Sequence, residues 1–151
     1  MYVNDSSTFA LRSRRMLFHS RAKTEDGRVL SNFYPSEIVY DRLKFKSAEG
    51  FFQGLKCLFS DSPKDIFLFQ EMEPLEAKRA GRRLKIDLGS WNRHSVEAMR
   101  FVIKLRYEQD ERFNEVVNKY RSEGLYHFDR AGKKSFWGGE KNMLGKIMME
   151  L

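Results

Sequence analysis

The chain has 151 residues, 41% hydrophobic and 14% aromatic with 13 Phe, which favours one packed domain and excludes a disordered chain. One cysteine, Cys57, excludes an internal disulfide framework, and no apolar run approaches the ~18 residues of a transmembrane helix. The net charge of +7 favours an anionic partner: phosphate, nucleotide or nucleic acid.

Residues 1–10 lack a signal-peptide apolar region, so a soluble, cytoplasmic protein is expected. Residues 1–13 read as a loose arm with no periodic face. Residues 14–19 alternate into an apolar centre and read as a short strand, and 21–28 as a charged loop turning at Asp26-Gly27. Residues 30–35 (LSNFYP) carry two adjacent aromatics closed by Pro35. They read equally as the lining of a pocket or as a packed connection with Phe33 and Tyr34 in the core. A hairpin is expected over 38–45 about Asp41-Arg42.

The most informative stretch is 47–56 (SAEGFFQGLK). Ala48, Phe51, Phe52 and Leu55 recur at i, i+3, i+4, i+7 and make an apolar helix face. Glu49, Gln53 and Lys56 make a polar one. Ser47 is the expected N-cap, and Glu49 falls in the first turn, where the helix dipole favours a carboxylate. The plain alternative is a solvated amphipathic helix. Cys57, between apolar neighbours, reads as a buried structural thiol.

Ser62-Pro63 with Asp65 starts another helix, running to about residue 71, with Ile66, Phe67 and Phe69 inward. Pro74 opens a helix over about 75–84 carrying Lys78, Arg79, Arg82 and Arg83. Its small residues Ala77, Ala80 and Gly81 permit close approach by another group, and the four cations form either a phosphate-binding face or a solvated one. Trp91 precedes a long helix over about 92–107, with Val96, Met99, Ile103 and Tyr107 on one face. A further helix is expected over 110–121, ended by Gly124, then a short strand at 125–128. Phe136-Trp137 runs into the pair Gly138-Gly139, which reads as a pocket wall where backbone nears a flat ligand, or as a core plug at a turn. A C-terminal helix begins near Asn142, with Leu144, Ile147, Met148 and Leu151 inward. His19, His94 and His127 are far apart, so neither a metal nor a cofactor is expected.

In order, FHS (18–20), LSNFYP (30–35), SAEGFFQ (47–53) with Lys56, Pro74 and AKRAGR (77–82), Trp91, Met99, FWG (136–138) and NMLGK (142–146) with Met149-Glu150 resemble the NADAR (YbiA-like) family. The resemblance covers residues 18–151. It implies a helix-rich α+β single domain with a few short strands, spanning 14–151. It implies a hydrolase, an N-glycosidase that cleaves the bond between ribose and a base. The substrate implied is either a phosphoribosyl-aminopyrimidine intermediate of riboflavin synthesis or ADP-ribose attached to a nucleic-acid base.

Glu49 matches the family's glutamate and is the expected catalytic residue. Phe18, Ser20, Asn32, Phe33, Gln53 and Lys56 are expected to bind substrate, as are Trp91, Trp137, Gly138 and Asn142. Lys78, Arg79 and Arg82 are expected on its phosphate. Many relatives have Asp where this chain has Lys134, and some have Lys where it has Asn32, so a second carboxylate and a lysine nucleophile at those positions are missing. The alternative function is a non-catalytic nucleotide or nucleic-acid binding protein of the same fold. Glu49 separates the two, because a phosphate binder has no need of a carboxylate in its pocket.

Overall fold

A computed structural model describes residues 15–151, so the arm expected at 1–13 lies outside the described residues. In chain order the elements are β1 (Met16–Phe18), α1 (Glu25–Val29), β2 (Ile38–Tyr40), β3 (Leu43–Phe45), α2 (Ala48–Leu55), α3 (Pro74–Arg83), α4 (Leu88–Gln109), α5 (Glu111–Tyr120), β4 (Leu125–His127) and α6 (Met143–Met149). Short 3₁₀ segments cover Lys56–Phe59, Pro63–Glu71 and Gly132–Lys134. The fold is α+β and helix-rich. Its described backbone forms two compact units, one of residues through Ser31 with Glu115–Leu151, the other Asn32–Asn114.

In the first unit β1 and β4 pair in parallel, Leu17 opposite Tyr126. The charged loop expected at 21–28 is partly helix. The Thr24 hydroxyl accepts from the Gly27 amide at 3.0 Å, and that cap starts the five-residue α1. Tyr120 donates its hydroxyl to Asp26 at 2.8 Å. Leu144, Ile147 and Met148 of α6 are buried as expected, while Leu151 is half-buried.

In the second unit, β2 and β3 form the expected antiparallel hairpin, with Ile38 opposite Phe45 and Asp41 at φ 53 in the turn. Phe45 stacks on Phe51 of α2 at 4.4 Å between centroids, both fully buried. The stretch after Ser62 differs from expectation. It is a 3₁₀ helix, with three residues per turn, so only i, i+3 positions share a face. Ile66 and Phe69 point inward, and Phe67 is 52% exposed. Ser62 makes no side-chain cap there.

The long helix α4 starts earlier than its apolar pattern indicates. Asp87 caps it by accepting from the Ser90 amide at 3.1 Å, which puts Trp91 inside the first turns. Its inward face is Trp91, Met99, Val102, Ile103 and, near its end, the fully buried Arg106. The Arg106 guanidinium lies 4.0 Å from the Phe113 ring centroid, and its Nε is 3.2 Å from Ser36 Oγ and 3.5 Å from Asp110 Oδ2. Ser36 donates to the same Asp110 oxygen at 2.5 Å. Burial lowers Arg106 to about 10, and Asp110 opposes that shift. Cys57 is fully buried, and burial, aided by the Asp65 charge, pushes its thiol up to about 11. Among the described residues, no helix is long and apolar enough to cross a membrane.

Candidate functional site

The site is built on the first turn of α2. Ser47 is fully buried and accepts from the Gly50 amide at 3.0 Å, fixing where the helix begins. Glu49 follows two residues later, and its own amide donates to the Asn32 carbonyl at 3.0 Å. The 30–35 segment is therefore tied to this turn from Asn32 onward. The apolar face falls as expected, with Phe51 and Phe52 buried. The polar face is not solvated. Glu49 is 9% exposed and Gln53 6%.

A carboxylate in that position has lost water and must be compensated. Gln53, one turn on, donates Nε2–H to Glu49 Oε2 at 2.6 Å. Lys78, Lys56 and Arg82 add attraction. Burial is nevertheless the largest effect and holds the Glu49 carboxyl above the ordinary carboxylate value; the Gln53 hydrogen bond and then the three cations pull it down. Lys56 is held below the ordinary lysine value by its own burial and by Arg82, against the pull of Glu49. Three cations around one carboxylate leave the site net positive, which suits an anionic substrate with a centre that turns cationic in reaction.

The cations are not equivalent. Lys78 and Arg82 are four apart on α3 and share a face. Arg79 is rotated about 100° from Lys78 round the helix, and both it and Arg82 are exposed. Lys78 Nζ lies 5.7 Å from the Phe33 ring centroid and Lys56 Nζ 5.8 Å from that of Trp91, so each ammonium group rests over an aromatic ring. Trp91 itself is 6% exposed, packed against Phe52 at 5.2 Å and Phe59 at 5.4 Å. Its link to Glu49 runs through Lys56, which lies over its ring. Asn32 is also buried, with Nδ2 3.5 Å from Met99 Sδ. Asn32 Oδ1 and Gln53 Oε1 are buried without a hydrogen-bond partner among the described residues.

The remaining expected residues belong to the other unit, and most have structural tasks there. Phe18 is fully buried and stacks on His127 at 5.0 Å. Asn142 adopts a left-handed backbone (φ 43, ψ 45); its Oδ1 accepts from the His127 amide at 2.9 Å and its Nδ2 donates to the Leu125 carbonyl at 2.8 Å. Both ends of that amide serve the β4 backbone. Gly138 is a glycine because a Cβ there would lie 2.5 Å from the His127 carbonyl oxygen. The close approach seen here is to β4. Its amide donates to Ser135 at 2.8 Å, and Ser135 donates to Asp129. Asp129 lies beside the Trp137-Gly138 turn, its Oδ2 3.2 Å from where a Cβ on Gly138 would be. Trp137 is half-buried, edge-on to Phe136 at 5.0 Å, and Ser20 is exposed.

Two residues of consequence escaped the sequence reading. Arg106 gave no signal, because an arginine on a helix reads as surface. Gly81 carried a partial signal in the run of small residues on α3, but its partner, the Gln53 side chain, is visible only in three dimensions.

Comparison with known proteins follows the same line. A family model described as the NADAR domain matches residues 17–151. The NMR structure of the E. coli protein YbiA is similar in fold, with a TM-score of 0.67 at 22% identity, over 89% of this chain and 80% of that one. No curated protein gives a significant sequence match.

Proposed function

The chain belongs to the NADAR family, and from that premise we propose that it is an N-glycosidase that hydrolyses the bond between ribose and a base in a phosphorylated ribosyl substrate. The observation that carries the reading is Glu49: a carboxylate buried at a helix start, hydrogen-bonded by Gln53 and faced by Lys78, Lys56 and Arg82. Breaking a ribosyl C–N bond leaves positive charge on the sugar. A carboxylate beside the anomeric carbon stabilises that charge and accepts a proton from the attacking water. The water's oxygen bonds to the anomeric carbon, and the base leaves with the C–N electron pair and takes up a proton. Lys78, Arg82 and Lys56 would hold phosphate, so that binding energy away from the reacting bond positions the sugar.

The non-catalytic binder of the same fold is disfavoured by the same observation. A phosphate binder gains nothing from a buried carboxylate among its cations. Two incubations test the reading and separate the substrate classes: one with a phosphoribosyl-aminopyrimidine intermediate, one with ADP-ribosylated nucleic acid. Base release in one arm is expected. Tight binding without release in either arm would replace the enzyme with the binder.

The cation geometry makes its own prediction. Changing both Lys78 and Arg82 to Ala is expected to raise KM about tenfold or more and flatten its dependence on salt. Arg79→Ala, on the outer face, is expected to change KM much less. Kinetics over a salt series decide it, and an unchanged KM in the double variant returns α3 to an ordinary solvated face.

A further inference from the structure

Gln53 lies between two helices, and one of them lacks a side chain where the two meet. A Cβ built on Gly81 of α3 would collide with Gln53 Oε1 and lie 2.8 Å from Gln53 Cδ. The Gln53 amide therefore occupies the volume that any other residue at 81 would fill. In that pose its Nε2–H reaches Glu49 Oε2 at 2.6 Å, while Oε1 is left buried with no partner among the described residues. A buried, unpaired amide oxygen is unfavourable, but exchanging the two ends of the amide would set oxygen against the Glu49 oxygen, so the donor takes the carboxylate side. What it achieves is a donor on the carboxylate.

Resting on the reading of Glu49 as the catalytic carboxylate, we propose that Gly81 and Gln53 are positioning residues: the bare Gly81 gives the Gln53 amide its place, and the amide holds Glu49 Oε2, favouring the carboxylate form and leaving Oε1 for the substrate. The charged groups acting on Glu49 are Lys78 and Arg82 from α3 and Lys56 at the end of α2. None of them needs to move when residue 81 changes. The amide does. The colliding atoms are the far end of a flexible side chain, so a methyl group at 81 displaces the Gln53 amide, and Gln53 Cβ, at 3.3 Å, has to give by only a few tenths of an ångström. The effect of Gly81 thus passes to Glu49 through Gln53.

The test is a titration of the Glu49 carboxyl by NMR in the free, full-length protein, made on the parent, Gly81→Ala, Gln53→Met and the double variant. A hydrogen bond to the ionised form lowers the titration midpoint, so losing it raises the midpoint. Gly81→Ala and Gln53→Met are each expected to shift it upward, and the double variant no further than Gln53→Met alone. Cleavage at the acid end of the pH profile is expected to fall about tenfold in each, the worth of one such bond, with the alkaline plateau kept. An unmoved midpoint in folded Gly81→Ala, or additive shifts in the double, overturns the proposal. If Gly81→Ala fails to fold, an unmoved midpoint in Gln53→Met overturns it alone. The titration needs no substrate, so it stands apart from the function itself: retained cleavage in Glu49→Gln would remove the glycosidase mechanism and leave this coupling intact.

Discussion

Replacing Glu49 with glutamine is expected to abolish cleavage while leaving a protein that melts at the same temperature as the parent or higher. The loss of activity follows from charge. The glutamine keeps the shape but cannot stabilise a cationic sugar or accept a proton, and a loss of roughly a thousandfold is the scale of such removals. The gain in stability follows from burial. Burial raises the Glu49 carboxyl, so the folded protein binds its proton more readily than the unfolded chain does. The stability this group contributes is complete below the ordinary carboxylate range and is lost as pH rises through the folded value. Wherever the carboxyl is ionised the folded parent holds a buried charge against its preference, and glutamine relieves that. For a chain of this size each kcal/mol of relief is about 2–4 °C in Tm. The advantage should shrink on acidification, as the parent's carboxyl becomes protonated. Turnover and melting at two pH values check both halves. Near-parental turnover would sink the mechanism, and a lower Tm at neutral pH would sink the account of burial.

The second large effect concerns folding alone. Arg106→Met is expected to destabilise by about 3–5 kcal/mol, the range found when one partner of a buried pair is removed. That corresponds to roughly 6–20 °C in Tm. Arg106 is fully buried, and its guanidinium joins three parts of the second unit: Ser36 ahead of β2, Asp110 at the end of α4, and the Phe113 ring on α5. Asp110 has a further duty, since its Oδ1 accepts from the Phe113 amide at 3.1 Å and so starts α5. Removing the guanidinium leaves Asp110 and Ser36 facing each other without their cation. Arg106→Lys should recover little, because an ammonium has neither the planar fork nor the stacking face. Asp110→Asn in the Arg106→Met background should recover part of the loss by removing the uncompensated charge. A loss below 1 kcal/mol in Arg106→Met would mean the cluster contributes little.

These two residues mark what the sequence does and does not disclose. Glu49 stood out because its helix has a capping serine before it and two phenylalanines behind it, all local signals. What periodicity could not say is that the polar face of α2 is covered. That cover comes from α3, some 25 residues on, and depends on Gly81 being bare. The family resemblance named Gln53, Lys56, Lys78 and Arg82, and three of those four act on Glu49 as charges while Gln53 acts as a donor. Arg79 belongs to the same matching run but has no part in the interactions on Glu49. Phe18, Gly138 and Asn142 also show tasks that the motif match did not disclose, in the core and on the β4 backbone. The long helix was read one turn short because its cap, Asp87, sits before a stretch with no apolar rhythm. The 63–71 segment was misread in kind, since a capping pattern starts a 3₁₀ helix as readily as an α-helix.

Cys57 has a practical consequence. Its thiol is fully buried and pushed up to about 11, so at neutral pH almost none is thiolate, and a thiolate is what disulfide and maleimide reagents attack. The folded protein should resist such labelling and the unfolded chain should accept it. With a single cysteine, every label reports the same place, the 3₁₀ turn that follows the helix bearing Glu49. The labelling rate in native buffer then becomes a clock for how often that turn opens. Run with and without a bound nucleotide, the clock reads occupancy of the neighbouring site without any assay of turnover: a ligand seated against Lys56 should slow it, and a rate that never changes would place the ligand elsewhere.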